Sequence, residues 1–598
     1  MASSPAFANY PKPVEGPETK YVPPPAKNPV LRGYSLVVAS ALLSRSGALQ
    51  RFFWNNAGFG QVKDLPTLDG VPQTFDPCVT PLGQTGPMLE FEPSLLSAAH
   101  VDPKVKYYSI SDYHELYKAG KVTPLDVAKA LLPLTKPGKD KKGKYEDAWA
   151  DSHGNDELVF EAAKASSERW AAGKPLGILD GVPIGVKDDV STKGYRNHFG
   201  MKYNADSTYF KRQEKSAWCV KALQDAGAVV LGKNRMHELG SDTCGLNVAQ
   251  GSPTNHLNNE YYPGGSSSGP ASAVCSGIVP VTVGTDAGGS IRIPSSFNGI
   301  YGLKTSQHRT GYMGSTMCIM GPIAANVADL TVAYRIMSQP DPEDGIQRAF
   351  GRSLPPQPTA KRVMGIYRDW WNAADPVVVE HCNRAVDYFA KERGYEVVDI
   401  SIPHLAEAQL SHGVICITEM AEAARRRTAN PADWLSLVGN ANRLIMSVAT
   451  QTPAADFLKY NTMRTLMMRH LAFLFQKHPG LLIMSPTTPI AGWPRHPGDE
   501  AHGMNDANVT FRNMMYIFLA NLTGTPSVSV PVGYATPTQG EGKVPIGLLA
   551  TGEWGSEEQL LGFAGEAEEY LHTTSDEGRR RPDAWLDVMA LANGELSL

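Results

Sequence analysis

Short apolar runs alternate with amphipathic segments through the middle of the chain. Runs typical of buried strands occupy residues 178–186, 229–231 and 278–283. Between them, residues 216–226 place apolar side chains at helical spacing. Because strands and helices that alternate along a chain pack as layers, this pattern predicts an α/β sandwich.

The next part of the chain is richer in predicted helix. Residues 330–475 include the amphipathic segment AVDYFAKERG and the apolar run NTMRTLMMRHLAFLF. We expect the methionines of that run to pack a core rather than to line a cofactor site. Strand-like segments return at residues 481–484 and 526–533, and the periodic segment at 555–571 predicts a helix that covers the sheet.

The first hundred residues follow a different pattern. Prolines recur between residues 11 and 29, which predicts an extended arm that wraps around the body of the protein or projects from it. The apolar run at residues 34–44 is about half as long as a membrane span requires. We interpret this run as a helix packed on the body, with attachment to a membrane surface as the alternative.

Charge argues against a nucleic-acid partner. The formal net charge of the 598-residue chain is −4 at pH 7, whereas proteins that bind nucleic acid are usually basic. The lysine-rich stretch at residues 136–144 also contains glycine and proline, and we interpret it as a solvated loop.

Cysteine usage indicates a reducing compartment. The seven cysteines are odd in number and scattered, without a CxxC pair or a metal-ligand spacing. The first thirty residues have no apolar core of the kind found in secretory signals. We therefore predict reduced thiols and a cytoplasmic protein.

A glycine- and serine-rich stretch, YYPGGSSSGPASA, occupies residues 261–273. It matches G-x-S-x-G at Gly265, Ser267 and Gly269, but the preceding residues are polar and turn-like, whereas a nucleophile elbow follows a buried strand. A flexible linker is equally unsuitable, because a small-residue helix and an apolar strand follow directly. The stretch therefore predicts an ordered loop whose hydroxyl and N–H groups converge.

A second glycine-rich turn, GTDAGGSIRIP, begins at Gly284 directly after the strand predicted at 278–283. Glycines allow successive N–H groups to point into one concavity, which suits a developing oxyanion. Ser290 at the end of this turn could attack a carbonyl carbon. A phosphate-binding nest is the alternative, although the lysine of a phosphate-binding loop is absent from the motif.

A serine nucleophile also needs a base. Lys187 ends the apolar run GVPIGVK, and burial would favour the neutral amine that accepts a proton. On its own, a lysine that follows a strand usually reaches solvent.

Taken together, GVPIGVKDD, GGSSSG and GTDAGGSIRIPSSFNGIYGLKTS resemble the amidase signature family. Further matches are KNRMHELG, MGPIAANVADL and NLTGTPSVSVPVG, and the resemblance covers roughly residues 106–570. It implies a single large α/β/α sandwich with a mixed central sheet covered by helices. Residues 106–598 would form the catalytic domain, and residues 1–105 a proline-rich arm and extension outside it.

The resemblance also implies the catalytic unit. Ser290 would be the nucleophile, Ser266 the bridging serine in a cis peptide and Lys187 the base. The backbone N–H groups of Ala287, Gly288, Gly289 and Ser290 would bind the oxyanion. No metal or cofactor is expected.

Supporting residues are inferred in the same way. Asp286 and Arg292 would fix the turn, although a purely structural ion pair would look the same in the sequence. Ser267 would stabilise the loop or contact substrate. Leu239 and Gly240, with parts of residues 310–475, would line the acyl pocket. Two positions depart from the common pattern, namely Ser268, which is often glycine, and Asp189, which is often asparagine.

The predicted function is hydrolysis of a linear carboxylic amide, a small-molecule substrate, to the acid and ammonia or an amine, with the nature of the acyl group left open. One alternative is an amidotransferase A-type subunit, which would need partner subunits. The other is an inactive binding or scaffold relative, against which the presence of Lys187, Ser266 and Ser290 argues. The family also suggests a possible homodimer, and the sequence predicts no membrane span.

Overall fold

The computed structural model describes residues 6–24, 28–83, 91–96, 102–136, 144–151, 154–205, 207–351, 353, 361–427, 430 and 433–597. Most of the lysine-rich loop predicted at residues 136–144 therefore lies outside the described residues.

Within these residues the strands are β1 (Ala6–Ala8), β2 (Leu31–Arg32), β3 (Thr80–Leu82), β4 (Pro183–Lys187), β5 (Val229–Asn234), β6 (Val281–Asp286), β7 (Tyr301–Lys304), β8 (Ile319–Ala324), β9 (Val363–Ile366), β10 (Glu396–Asp399), β11 (Leu481–Pro486), β12 (Met504–Asn505), β13 (Ser527–Ala535) and β14 (Val544–Thr551). The α-helices are α1 (Gly33–Leu43), α2 (Gly47–Asn56), α3 (Pro93–Leu96), α4 (Ile110–Lys118), α5 (Pro124–Leu131), α6 (Asp156–Ala171), α7 (Trp218–Asp225), α8 (Ser268–Cys275), α9 (Arg292–Phe297), α10 (Val327–Met337), α11 (Arg368–Trp371), α12 (Pro376–Glu392), α13 (Leu405–Arg425), α14 (Asn440–Ala449), α15 (Ala454–Lys477), α16 (Asp499–His502), α17 (Ala507–Asn513), α18 (Phe518–Thr523), α19 (Glu557–Thr573) and α20 (Val588–Ala592).

A ten-stranded mixed sheet forms the centre of the protein, in the order β10-β9-β11-β14-β13-β7-β8-β6-β4-β5. Pairing is parallel among β10, β9 and β11 and around β4, which lies between β6 and β5. The pairs from β11 through β14, β13, β7 and β8 to β6 are antiparallel. Helices α10, α12 and α19 contact the sheet, with α19 in contact with the other two, and α8 and α9 form a second group on the sheet. The predicted α/β sandwich with a mixed central sheet is confirmed.

Most predicted segments are present, shifted by a few residues. The strand expected at 178–186 is β4, which begins at Pro183, and the strand expected at 278–283 is β6. The sequence pattern misses β7, β9 and β10, because a strand of four residues offers too few positions to define a period. It also misses β8, whose sequence IMGPIA contains the two residues least favoured in strands.

The proline-rich arm at residues 6–24 lies on the body of the protein. Near its start, the Tyr10 hydroxyl donates a hydrogen bond of 2.6 Å to Glu553 Oε1. Near its end, the Tyr21 N–H donates to the Tyr367 hydroxyl at 2.8 Å. The arm therefore wraps rather than projects.

Helix α1 has one buried side and one exposed side. Leu36 is fully buried in the packing of α1 against α14 and α16. On the other side, Tyr34, Val38 and Leu42 are each more than half exposed. The expectation that this apolar run packs on the body as a helix is confirmed. Over the part of the chain that the structure describes, no helix has the length and apolar character needed to cross a membrane.

Candidate active site

Lys187 is the last residue of β4, at the centre of the parallel part of the sheet. Val186 pairs with Val283 of β6, and Lys187 pairs with Asn234 of β5. Because every residue of β4 is buried, the Lys187 side chain is fully enclosed rather than solvated. The usual outcome for a lysine after a strand therefore does not apply here.

Three oxygen atoms surround the Lys187 amine. Nζ lies 2.8 Å from Ser266 Oγ and 2.7 Å from Thr285 Oγ1. The Thr285 carbonyl oxygen lies 3.3 Å from the same nitrogen. The Thr285 hydroxyl in turn donates a hydrogen bond of 2.7 Å to Asp189 Oδ2. The bridging serine and the base predicted from the sequence are thus in direct contact.

Burial lowers the pKa of Lys187, because the ammonium form loses its hydration inside the protein. The carboxylate of Asp189, 3.8 Å from Nζ, opposes this effect most strongly, followed by Cys318 and Asp286. Desolvation is the larger influence, so the pKa moves downward overall and the neutral amine is favoured.

Ser266 lies in a tightly packed loop that leads into α8. The Gly265–Ser266 peptide bond is cis. The Gly265 N–H donates to the Thr243 carbonyl at 2.7 Å, and the Ser266 carbonyl accepts from the His237 N–H at 3.1 Å. A side chain at Gly265 would approach the Asp242 carbonyl oxygen to 2.6 Å, so only glycine fits there. The predicted ordered loop is present.

The second glycine-rich turn is built on Asp286. One carboxylate oxygen accepts from the Gly289 N–H at 2.7 Å and the other accepts from the Ile291 N–H at 3.0 Å. Arg292 adds two hydrogen bonds to the same carboxylate, of 2.9 and 3.0 Å, and both side chains are fully buried. Although burial alone would raise it, the pKa of Asp286 is held below its usual range by Arg292 and the two N–H groups. The buried ion pair therefore joins the start of the turn to its end and to α9.

Ser290 ends this turn and faces the loop that carries Ser266. Its carbonyl accepts from the Ser267 N–H at 3.1 Å, which joins the two loops, and the Ser267 hydroxyl donates to the Thr285 carbonyl at 3.3 Å. Ser290 is the most exposed of the three predicted catalytic residues, at 8% against 1% for Ser266. Among the described residues, no hydrogen bond joins the Ser290 and Ser266 hydroxyl groups.

His412 on α13 is a residue of the site that sequence reasoning missed. Its Nε2 lies 2.8 Å from the Ala287 carbonyl oxygen, which can only accept, so Nε2 carries the proton. Burial lowers the pKa of His412 to about 4, so the ring is neutral near pH 7. Thr285 was missed too, although it lies within the quoted GTDAGGS motif. Nothing in the sequence links His412 to a turn 125 residues earlier.

Leu239 and Gly240 lie beside the bridging serine. A side chain at Gly240 would come within 3.3 Å of Ser266 Oγ, so this glycine leaves room beside the Ser266 hydroxyl group. Leu239, with a φ of 57°, packs against two apolar clusters, which include Met446 of α14 and Phe210. Of the predicted pair, Gly240 therefore lies beside Ser266 and Leu239 packs in the apolar clusters.

Known proteins resemble this chain in both sequence and fold. The amidase family matches residues 155–561. A fatty acid amide hydrolase of Medicago truncatula is 32% identical over 545 residues, which cover 87% of this chain and 86% of that protein. A glutamyl-tRNA(Gln) amidotransferase A-type subunit of Chloroflexus aggregans is 28% identical over 513 residues, or 80% of this chain and 99% of that protein. A crystal structure of an amidase has a TM-score of 0.64 and 24% sequence identity, and the match covers 77% of this chain and 99% of that one. The chain therefore belongs to the amidase family and is an amide-hydrolysing enzyme.

Proposed function

We propose that the chain hydrolyses a carboxylic amide through an acyl-enzyme on Ser290. The observation that carries this proposal is the hydrogen bond of 2.8 Å between Ser266 Oγ and the fully buried Lys187 amine. Burial favours the neutral amine, and a neutral amine can take a proton from a hydroxyl group. The Ser266 hydroxyl, having given its proton to Lys187, can then take a proton from the more exposed Ser290 and activate it.

The proton relay would run in both directions. As Ser290 Oγ bonds to the carbonyl carbon, its proton moves to Ser266 and the proton of Ser266 moves to Lys187. As the carbon–nitrogen bond breaks, Ser266 gives a proton to the leaving amine and regains one from Lys187. Water then attacks the acyl-enzyme by the same relay and releases the acid.

The turn before Ser290 would stabilise the oxyanion. The sequence predicts four donors, the N–H groups of residues 287–290. The Gly289 N–H is already donated to Asp286 at 2.7 Å, so we assign the role to Ala287, Gly288 and Ser290. Each well-placed donor of this kind contributes roughly 3 kcal/mol to the transition state.

The acyl group would be long and apolar. Gly240 lies beside Ser266, and its neighbour Leu239 packs against apolar residues of α13 and α14, which fall in the segment 310–475 expected to line the acyl pocket. The match to a fatty acid amide hydrolase supports the same chemistry. The match to an amidotransferase component is weaker and favours the alternative less.

The organisation of the whole protein follows from the same reasoning. We assign the catalytic domain to residues 106–598, and an arm and extension to residues 1–105. All seven cysteines are free thiols, which supports a cytoplasmic location. A homodimer is compatible with these assignments.

A fluorophosphonate probe tests the nucleophile without knowledge of the substrate. Intact mass should show one adduct on the wild-type chain and none on Ser290→Ala. Ser268→Ala is the matched control, because this hydroxyl lies at the first residue of α8 and has no hydrogen-bond partner among the described residues. Undiminished labelling of Ser290→Ala would refute the assignment.

Substrate class is tested with a panel of primary amides of increasing acyl length, with ammonia release as the measured quantity. We expect the purified chain alone to release ammonia, and kcat/KM to rise with acyl length. Activity that depends on added partner chains would instead favour the amidotransferase alternative.

A further inference from the structure

The Lys187 amine has more hydrogen-bond partners than a proton relay requires. Besides Ser266 Oγ, it contacts the hydroxyl and the carbonyl oxygen of Thr285. Thr285 is 2% exposed and belongs to β6, the strand beside β4. These two extra contacts determine how the amine is rotated.

Donor and acceptor roles can be assigned atom by atom. A carboxylate only accepts, so the single hydroxyl proton of Thr285 points to Asp189 Oδ2, 2.7 Å away. The Thr285 hydroxyl oxygen can then only accept from Lys187 Nζ. The Thr285 carbonyl oxygen also only accepts.

A neutral amine has two N–H bonds and one lone pair. Both N–H bonds are directed at Thr285, one at the hydroxyl oxygen and one at the carbonyl oxygen. The lone pair therefore faces the third neighbour, Ser266 Oγ, at 2.8 Å. In this rotation Ser266 must donate its proton to the amine, which is the direction that activation of Ser290 requires.

We propose that Asp189 and Thr285 are positioning residues that hold the lone pair of Lys187 toward Ser266. This inference rests on the proposed function, in which Lys187 is the base. Within the described residues, neither side chain hydrogen-bonds to the Ser266 or Ser290 hydroxyl group, and both act through the Lys187 amine. Asp189 orients the Thr285 hydroxyl, and Thr285 orients the amine.

The proton count supports the arrangement. When Lys187 takes the proton of Ser266, the ammonium has three N–H bonds and three oxygen acceptors, namely the two oxygens of Thr285 and Ser266 Oγ. No rotation is needed between the two states. The proton that leaves Ser290 replaces the one that Ser266 gave away, and the positive charge on Lys187 balances the negative charge that forms on the carbonyl oxygen.

Asp189 also adds a charge to the site. The charged and titratable groups that face Lys187 are Asp189, Asp286, Cys318 and His237. Asp286 is neutralised by Arg292, and burial raises the pKa of Cys318 to about 12 and lowers that of His237. The Asp189 carboxylate, at 3.8 Å, is therefore the group whose removal changes the charge beside the amine.

The experiment measures the second-order rate constant of fluorophosphonate labelling from pH 5 to 10. Thr285→Val removes the hydroxyl while keeping the shape, and the plateau rate should fall at least about tenfold, within the effect of a general base. Thr285→Ser should restore it. Thr282→Val is the matched control, because Thr282 lies on the same buried strand and donates to the Pro270 carbonyl instead.

Asp189→Asn separates charge from orientation. The amide oxygen can still accept from Thr285, so the orientation of the amine is kept and the plateau rate should stay within about threefold of wild type. Loss of that orientation would lower the rate by more than about threefold. The acidic limb should move to lower pH by about 1–3 units, because loss of a nearby opposite charge disfavours the ammonium. This shift is a readout that a merely structural residue would not give.

The failure of this inference can be told apart from failure of the proposed function. A fall of less than about tenfold in Thr285→Val, or a plateau that falls more than about threefold in Asp189→Asn, would overturn the positioning roles. If Thr285→Val does not fold by circular dichroism, the plateau of Asp189→Asn decides, and its acidic limb reports the effect of the charge alone. Undiminished labelling of Lys187→Met would instead overturn the proposed function itself.

Discussion

Removal of Arg292 should destabilise the protein more than almost any other single substitution near the active site. Its guanidinium and the Asp286 carboxylate are both fully buried, and Arg292 also donates to the Ile517 carbonyl and to Asn521. In Arg292→Met the carboxylate keeps its two backbone donors but loses its cation.

The magnitude follows from that buried charge. Removing one partner of a buried ion pair costs about 3–5 kcal/mol, because the remaining charge has neither water nor a counterion. Asp286→Asn in the Arg292→Met background removes the stranded charge. The double variant should therefore be more stable than the sum of the two single effects predicts, by roughly 1–3 kcal/mol.

Urea unfolding, followed by tryptophan fluorescence and circular dichroism, measures these free energies, and coincident curves verify a single transition. The pH dependence gives an independent reading. The pKa of Asp286 is lower in the folded protein than in the unfolded chain, where it is about 4. The stability that the Asp286 carboxylate contributes is therefore present above the pKa of the unfolded chain and is lost as pH falls through the pKa of the folded protein. Additive effects of the two substitutions within about 0.5 kcal/mol would refute the coupling.

Three further changes test other parts of the structure. His412→Gln keeps a hydrogen-bond donor but cannot titrate. Burial lowers the pKa of His412 to about 4, so the wild-type protein should lose stability relative to this variant as pH falls from about 6.5 to 4. The loss should reach up to about 1.4 kcal/mol per pH unit. Parallel urea curves at all pH values would contradict it. Gly289→Ala should abolish labelling by the probe, because its Cβ would lie 1.6 Å from an isoleucine side chain, whereas Gly314→Ala has the same left-handed backbone in open space and should label normally. Leu36→Ala in the buried side of α1 should cost about 2–5 kcal/mol, and Leu42→Ala, which is 58% exposed, should change the unfolding midpoint little; equal effects would show that α1 does not pack as described.

The site was predictable where its chemistry is encoded locally. The glycines around Ser266 and Ser290 mark two sharp turns, and both are ordered and joined through Ser267. The apolar run before Lys187 made burial of its amine conceivable, although such a lysine usually reaches solvent, and Lys187 is fully enclosed. Each of these signals lies within a few residues of the atom that it concerns.

The remaining features depend on contacts between distant parts of the chain. The Thr285 hydroxyl meets Lys187 only because β4 and β6 are neighbours in the sheet, although 98 residues separate them. Asp189 differs from the common asparagine, but its partner could not be read from the sequence. The same distinction applies to the fold. Alternating strands and helices along the chain predict the layers, whereas the order of the strands depends on pairing between distant segments.

The position of β14 has a consequence for synthesis. This strand lies between β11 and β13, so in the described sheet it joins the part that contains β9, β10 and β11 to the part that carries the active site. It ends at Thr551, late in a chain of 598 residues. Because the N-terminal part of a chain emerges first from the ribosome, the edge of β11 stays unpaired while the 57 residues before β14 are made, whereas only eight residues separate β13 from β14. Chaperones should therefore be needed chiefly to protect the open edge of β11 during this interval.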